Sequence, residues 1–553
     1  MIPASTGGRA IVDALVAGGV RHAFTVPGES FLGVLDALRD APIRTIATRH
    51  EAGAAFMAEG YGQLTGRPAV CLATRSVGAA NLAIGLLTAT ADSTPLVAIV
   101  GQVPSGFRGR EAFQEVDQTA TFGRLCKAAV EVDDAARLMA ETARLVALAQ
   151  AGRPGPVLLA VPEDVVDAAA GGTHATPLDT GRPAAVMPAE AAVRQVLAEL
   201  AHAASPVVVA GAGVLRSGAA ELVGRFAERF CLPVVASWRR PDVMPNEHPF
   251  YIGMTGLAAP ATVRPRLAAA DVLLALGSRL NEITTFDYSV PLAGTQLIHV
   301  DAAPGFAGDR RPPDLAVTAD TRAFLEAALA LADPPLPDPA GHAARLAAVA
   351  ADRAAYRAAS TLPDAPPGQP IDPAVAVRAL QAVLPEDAVV TTDAGNFAGW
   401  YARGLRFSAG QRFLGPTSGA MGYGLPAAIG AALAEPGRRV IALAGDGGLA
   451  MLMAELETAV REDARLTVLV HDNGMYGTIR MHQERSFPGR LAATDLGPID
   501  FAAVARACGA SASRVERDAD VGDAIAEAVR GSGVTLVHLL TDPDRLSVDQ
   551  ARP

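Results

Sequence analysis

Two short runs, each following an apolar stretch, carry residues that could bind a cation and phosphate. Val440 to Ala444 reads as a buried strand that exits into Gly445-Asp446-Gly447-Gly448, and Leu466 to Val470 as another that exits into His471-Asp472-Asn473-Gly474. The carboxylate of Asp446 and the amide oxygen of Asn473 suit one hard cation. The glycines beside them let backbone and a diphosphate approach without a Cβ clash. The helical pattern LAMLMAELETAV after Gly448 would aim N-terminal N–H groups at phosphate oxygens. Magnesium suits such a site, because it takes few protein oxygens and fills its octahedron with phosphate oxygens and water.

For these residues to meet, the two strands must be neighbours in a parallel sheet, where ligands bind beyond the carboxyl ends. The chain of 553 residues is long enough for several such units. Apolar runs alternate with Ala-rich helical patterns throughout: PAVCLAT and PLVAIVG, then PVVVAGAG and DVLLALGS, then RRVIALAGD and RLTVLVHDN. Periodicity fails between Asp167 and Pro188, and again from Asp333 to Asp372, where a short helical pattern stands between Pro-rich ends. The expected fold class is α/β, with three doubly wound parallel-sheet domains at 1–166, 189–332 and 373–553.

Composition removes several functions. A net charge of −11 without a basic run argues against nucleic acid. The apolar runs fall well short of the roughly 20 residues a membrane span needs, so no membrane association is expected. The only lysine, Lys127 in RLCKAAVEV, lacks the Gly-Lys-Ser/Thr context of a P-loop and any sign of a Schiff-base site. Cys71, Cys126, Cys231 and Cys508 are scattered without CxxC spacing and read as small core residues. The N-terminal MIPASTGGRAIVDALVAGG runs into an amphipathic helix at Ile11, Val12, Leu15 and Val16 without a signal-peptide core, and a cytoplasmic location is expected.

The spacing of GDGG and Asp472-Asn473 resembles the GDG…NN signature of thiamine-diphosphate enzymes, with Asp472 in place of the first Asn. The resemblance implies Asp446, Asn473 and the main-chain carbonyl of Met475 as magnesium ligands. It places Gly447, Gly448, Tyr476 and Gly477 around the diphosphate. GPTSGAMGYGLPAA, from Gly415 to Ala428, is similar to the segment whose methionine wedges beneath the bent cofactor, here Met421 after Gly419. Asp393-Ala394-Gly395-Asn396, after the strand AVVTT, resembles the diphosphate-side loop. Arg49-His50-Glu51 and the alanines after it look like the motif whose glutamate presses on the pyrimidine and favours its imino tautomer. Glu51 is the resulting activator of the cofactor. The match continues through TRSVGAAN (74–81), Gly101-Gln102-Val103-Pro104 and EAFQEVD (111–117). In such enzymes the first segment of one subunit meets the third of another, so a homodimer or homotetramer is implied.

The chemistry implied is decarboxylation of a 2-oxo acid, then transfer of its acyl fragment to a carbonyl acceptor, as in acetolactate synthases. Phe113-Gln114 looks like the Phe-Gln pair of that group, where simple decarboxylases often place histidines. Glu29 in VPGES departs from the acetolactate-synthase pattern and adds a carboxylate near the substrate. His482 and Ile283 stand where that group carries other substrate-zone residues, which leaves donor and acceptor open. Non-oxidative decarboxylation is the nearest alternative, a flavin-linked oxidase the third, and a noncatalytic nucleotide-binding protein a different class. Gly211-Ala212-Gly213 starts a dinucleotide fingerprint, but Arg216 occupies the third glycine's place, so FAD or ADP binding stays open.

Overall fold

The computed structural model describes residues 6–170, 184–303, 311–362 and 368–549. Most of the linker expected at Asp167–Pro188 and the first five residues of the N-terminal reading lie outside the described residues. Three six-stranded sheets follow one another along the chain, and every strand ladder in them is parallel.

The first sheet contains β1 (His22–Thr25), β2 (Arg44–Ala47), β3 (Ala69–Ala73), β4 (Leu96–Gln102), β5 (Ala128–Glu131) and β6 (Pro156–Pro162). Its order is β2-β1-β3-β4-β6-β5. The second contains β7 (Val207–Ala210), β8 (Val234–Ala236), β9 (Tyr251–Met254), β10 (Val272–Leu276), β11 (Gln296–Asp301) and β12 (Leu315–Thr318). Its order, β12-β11-β10-β7-β8-β9, is that of a doubly wound dinucleotide-type sheet. The third contains β13 (Val389–Thr392), β14 (Arg412–Leu414), β15 (Val440–Gly445), β16 (Leu466–Asp472), β17 (Ser511–Val515) and β18 (Val534–Leu540). In order β14-β13-β15-β16-β18-β17 it repeats the topology of the first.

The central strands β3, β4 and β15 are almost wholly buried, as continuous apolar runs covered by helices on both faces should be. The N-terminal helix Gly7–Ala17 buries Ile11, Val12 and Leu15 as its period requires. One expectation changes. Much of the zone from Asp333 to Asp372 is a 22-residue helix, Pro339–Ser360, which packs Val349 and Tyr356 into the core of the second sheet. Its pattern was diluted by arginines that serve the interior: Arg353 donates to the carbonyl of Tyr251 at 2.8 Å, and Arg345 to those of Leu200 and Ala201 at 2.8 Å.

The first and third sheets share a core through two helices, Glu51–Thr65 and Gly424–Ala434. Their axes come close because the contact is made by small residues. A Cβ on Gly60 would lie 2.6 Å from the Ala427 carbonyl oxygen, and one on Gly430 only 2.1 Å from that of Met57. No described helix is long and apolar enough to cross a membrane.

Candidate active site

β15 and β16 lie side by side with Gly445 paired to His471, so Asp446 and Asn473 leave the sheet together. Asp446 opens the helix Asp446–Leu452. The loop after β16 is tied by its own side chains. Asp472 accepts from the Gly474 N–H at 3.0 Å and Asn473 Oδ1 from that of Met475 at 3.3 Å. The helix Gly477–Ser486 follows at once, and its N-terminus faces the same space.

That space is a cavity of about 590 Å³. Asp446, Gly447, Gly448, Asn473, Met475 and Tyr476 form one side of it. Gly395, Asn396, Gly419, Met421 and Gly477 form the rest of the expected wall, so every diphosphate-side residue read from the sequence reaches one cavity. Two side chains hold its loops. Asp393, whose carboxyl burial pushes up to about 6, accepts from the Gly422 N–H at 3.0 Å and steadies the Met421 turn. Thr478 donates to Asn396 Oδ1 at 2.9 Å and joins two loops across the cavity floor.

Burial, and then the charge of Asp472, push the Asp446 carboxyl up to about 7. Asp472 is shifted the other way: burial acts against it, but the hydrogen bond and charge of His538 hold its carboxyl below the usual range. His538 Nε2 stands 2.8 Å from Asp472 Oδ2. Two acids in contact beside open space, where a Cβ on Gly474 or Gly419 would meet nothing within 4 Å, suit a cation and an anionic ligand bound together. Among the described residues there is no cluster of three His, Cys, Asp or Glu side chains. The expected magnesium set needs none, having one carboxylate, one amide and one main-chain carbonyl. His471 is a core residue: its ring, pushed down to about 3 by burial, lies 2.8 Å from the Tyr401 hydroxyl and stacks on Phe397.

Glu51 begins the other helix of the interdomain pair, with His50 as its cap: the His50 ring nitrogen accepts from the Ala52 N–H at 3.0 Å. Glu51 is 9% exposed, and its carboxylate accepts from Asn81 Nδ2 at 2.9 Å. The turn that carries it is pinned from the third domain, where Glu455 Oε1 accepts from the N–H groups of Arg49 and His50 at 3.1 and 3.0 Å. Glu51 lines neither the diphosphate cavity nor the one described next, so in a single chain it is a separate half of the site.

Glu29 and Phe113 share a second cavity, also of about 590 Å³, with Arg75, Arg110 and Glu163 in its wall. Gln114 does not line it. That residue turns with φ +64°, and its carbonyl accepts from the Ser76 N–H at 3.3 Å. His482 lines the diphosphate cavity, whereas Ile283 lines neither. Sequence reasoning missed Arg75, Asn81, Glu163, Glu455 and His538 as site residues. Glu163 had a signal, because it directly follows the apolar run of β6. His538 had none, since it sits inside the apolar run of β18.

At the start of the dinucleotide fingerprint, Gly211 and Gly213 serve close packing: a Cβ on them would come 2.5 and 2.6 Å from Gly277. Arg216 is half-buried beside Arg153 and Arg279. Burial and these neighbours push Arg153 down to about 10. One cavity at this loop, between Asp92, Ala212, Arg216 and Arg240, holds about 20 Å³.

Residues 5–121, 193–328 and 393–539 match the N-terminal TPP binding domain, the central domain and the C-terminal TPP binding domain of thiamine pyrophosphate enzymes. Fold and site thus define a thiamine-diphosphate enzyme. The chain is 32% identical to the large subunit of acetolactate synthase isozyme 1 of Escherichia coli, over 98% of this chain and 94% of that one. It is 32% identical to that of isozyme 2 from the same organism, over 97% and 95%. Against the acetolactate synthase large subunit of Corynebacterium glutamicum it is 31% identical, over 95% and 84%. The chain belongs to the acetolactate synthase large-subunit family, carboligases dependent on thiamine diphosphate.

Proposed function

We propose that this enzyme decarboxylates a 2-oxo acid and ligates the acyl fragment to a carbonyl acceptor, at a site shared between two copies of the chain. The observation that carries the reading is the pair of strand exits that brings Asp446 and Asn473 to one cavity with Met421 and the Gly395-Asn396 loop. Bound thiamine diphosphate would supply the electron sink for the bond cleavage. Asp446, Asn473 and the Met475 carbonyl would hold magnesium against the diphosphate, with Gly447, Gly448, Tyr476 and Gly477 close to phosphate oxygens. Glu51, shielded from water and fixed by Asn81, would hold a proton against the pyrimidine ring. Because Glu51 lies apart from the diphosphate cavity of its own chain, a second copy must supply it, which makes a homodimer the smallest active unit.

Carboligation is favoured over simple decarboxylation because the wall that Glu29 and Phe113 share contains no imidazole to deliver a proton. The cysteines suit a reducing cytoplasm: all four are free, and burial pushes the thiols of Cys71 and Cys126 up, so both are inert.

The test is to incubate the purified protein with thiamine diphosphate, magnesium and a panel of 2-oxo acids and aldehydes, following carbon dioxide and products. Ligated 2-hydroxyketone is expected, dependent on both cofactors. Free aldehyde as the sole product would establish the decarboxylase instead. Sedimentation would show a dimer or larger, and the absorption spectrum of the purified protein would show whether flavin is bound.

A further inference from the structure

Arg75 is the most constrained charged residue outside the diphosphate cavity. It opens the helix Arg75–Asp92 with φ +38°, a backbone region that costs a non-glycine residue of order 1 kcal/mol and is kept where function demands it. Its side chain is buried, with 8% of the residue exposed. Nη2 donates to Glu163 Oε2 at 3.0 Å and lies 3.3 Å from Glu29 Oε1, while Nη1 reaches the Phe113 carbonyl at 3.4 Å. The ring of Phe113 lies 6.0 Å from the guanidinium carbon, and the Nε–H is buried without a partner. Glu29 is fixed on its own side by the contact of neighbouring turns, where Ser30 Oγ and Thr74 Oγ1 lie 2.8 Å apart.

This arrangement decides what the cavity can recognise. A guanidinium already engaged by two carboxylates is not free to clamp a substrate carboxylate. Glu29, with 66% of its side chain exposed, turns unused lone pairs to the cavity. The cluster of Glu29, Arg75 and Glu163 carries one formal negative charge, and its exposed group is the Glu29 carboxylate, an acceptor. The exposed Arg110 at the rim balances that charge, so the cavity as a whole does not repel an entering 2-oxo acid. Complementary to the inner wall is a neutral molecule bearing hydroxyl donors. A second 2-oxo acid would bring another carboxylate against Glu29 and Glu163.

We infer that the carbonyl acceptor is a hydroxylated aldehyde, whose hydroxyl groups are read by Glu29 and Glu163 while Arg75 positions both carboxylates. This rests on the carboligase reading above. In the reaction the C1–C2 bond of the 2-oxo acid breaks and carbon dioxide leaves. Its C2 then bonds to the aldehyde carbon, and the new alkoxide takes one proton from water, giving a polyhydroxylated 2-ketone without net oxidation.

The test is competition between acceptors of equal length with and without hydroxyls, glyceraldehyde against propanal, with pyruvate offered as the rival acceptor. The donor is whichever 2-oxo acid the panel shows to release carbon dioxide. Wild-type enzyme should favour the hydroxylated aldehyde in kcat/KM at least tenfold over propanal and over a second 2-oxo acid. Glu29→Gln should cut that ratio about tenfold. Arg75→Ala should raise KM for glyceraldehyde more than it lowers kcat, with Arg75→Lys partly restoring the ratio, a pattern that mere loss of folding would not give. Equal use of propanal, or preference for the second 2-oxo acid, would overturn the inference and leave the carboligase reading standing. Release of free aldehyde without any ligated product would sink the carboligase reading and this inference with it. Should the variants not fold, the wild-type acceptor series decides alone.

Discussion

Glu59 provides a test of the contact that joins the first and third domains. Its carboxyl is wholly buried in the helix pair, accepting from Tyr423 Oη at 2.5 Å, Thr94 Oγ1 at 2.7 Å and Gln63 Nε2 at 2.9 Å. Burial, and then the negative charge of Asp92, push it from 4.5 up to about 7, although those three hydrogen bonds pull the other way. Asp92 is itself engaged by Arg240 at 2.5 Å and by Thr417. With the folded pKa above the unfolded one, the native state holds more protons between pH 4.5 and 7, and stability must fall as pH rises through that window. At about 1.4 kcal/mol per pH unit the loss is roughly 3 kcal/mol in all, the larger part between pH 5 and pH 8. Glu59→Gln mimics the protonated acid and abolishes this dependence. Urea unfolding of both proteins at pH 5 and pH 8 should show the variant gaining on wild type by about 2 kcal/mol at the higher pH. The infrared carbonyl band of protonated carboxyls should lose the Glu59 component in the variant at pH 6, while those of Asp446 and Asp393 stay. A difference between variant and wild type that is the same at both pH values would refute the reasoning.

Asp446→Ala should weaken magnesium and thiamine diphosphate binding together, because on the proposed reading a metal held by Asp446 would join the protein to the diphosphate; calorimetry showing unchanged cofactor affinity would remove Asp446 from the metal site. Glu51→Gln should retain the cofactor yet slow exchange of its C2 proton by orders of magnitude, read by deuterium uptake, and wild-type exchange rates would refute the role. Gly60→Val should destabilise the protein by about 3 kcal/mol or more, since its Cβ would lie 2.6 Å from the Ala427 carbonyl oxygen and the two helices cannot separate without opening a shared core. A thermal midpoint within 2 °C of wild type would show that the helix contact yields easily.

The parts of this fold legible in the sequence are those whose signal is local. β3, β4, β15 and β16 announce themselves because a strand buried on both faces must be apolar throughout, and the glycines after β15 because phosphate chemistry needs bare backbone. The helix Pro339–Ser360 was legible only in part, because its buried arginines satisfy carbonyls of the second domain and therefore look like a solvated face. The pairing of Arg75 with Glu163, and of His538 with Asp472, went unread for a related reason. Each is a charged or polar residue whose partner lies far along the chain, and sequence periodicity carries no record of pairing across such distances.

The same limit explains why the two halves of the site could be recognised but not joined. The first and third sheets have one strand order, and the helices Glu51–Thr65 and Gly424–Ala434 pack them together inside the chain. That packing uses the face of the Glu51 helix carrying Gly53 and Gly60, so the first domain's attachment to its own third domain is made through small residues rather than through the Glu51 carboxylate. A Cβ at Gly53 would meet Glu455 Oε1 at 2.2 Å, and that same oxygen holds the turn on which Glu51 stands. Intrachain packing thus aims Glu51 without completing the site around it. On this arrangement Glu455→Ala should lower activity by displacing Glu51 toward its partner copy, while thiamine diphosphate affinity, set by the separate cavity around Asp446, stays near wild type. Loss of affinity in proportion to activity would mean that the two halves are coupled within one chain, and the case for a site completed by a second copy would fall.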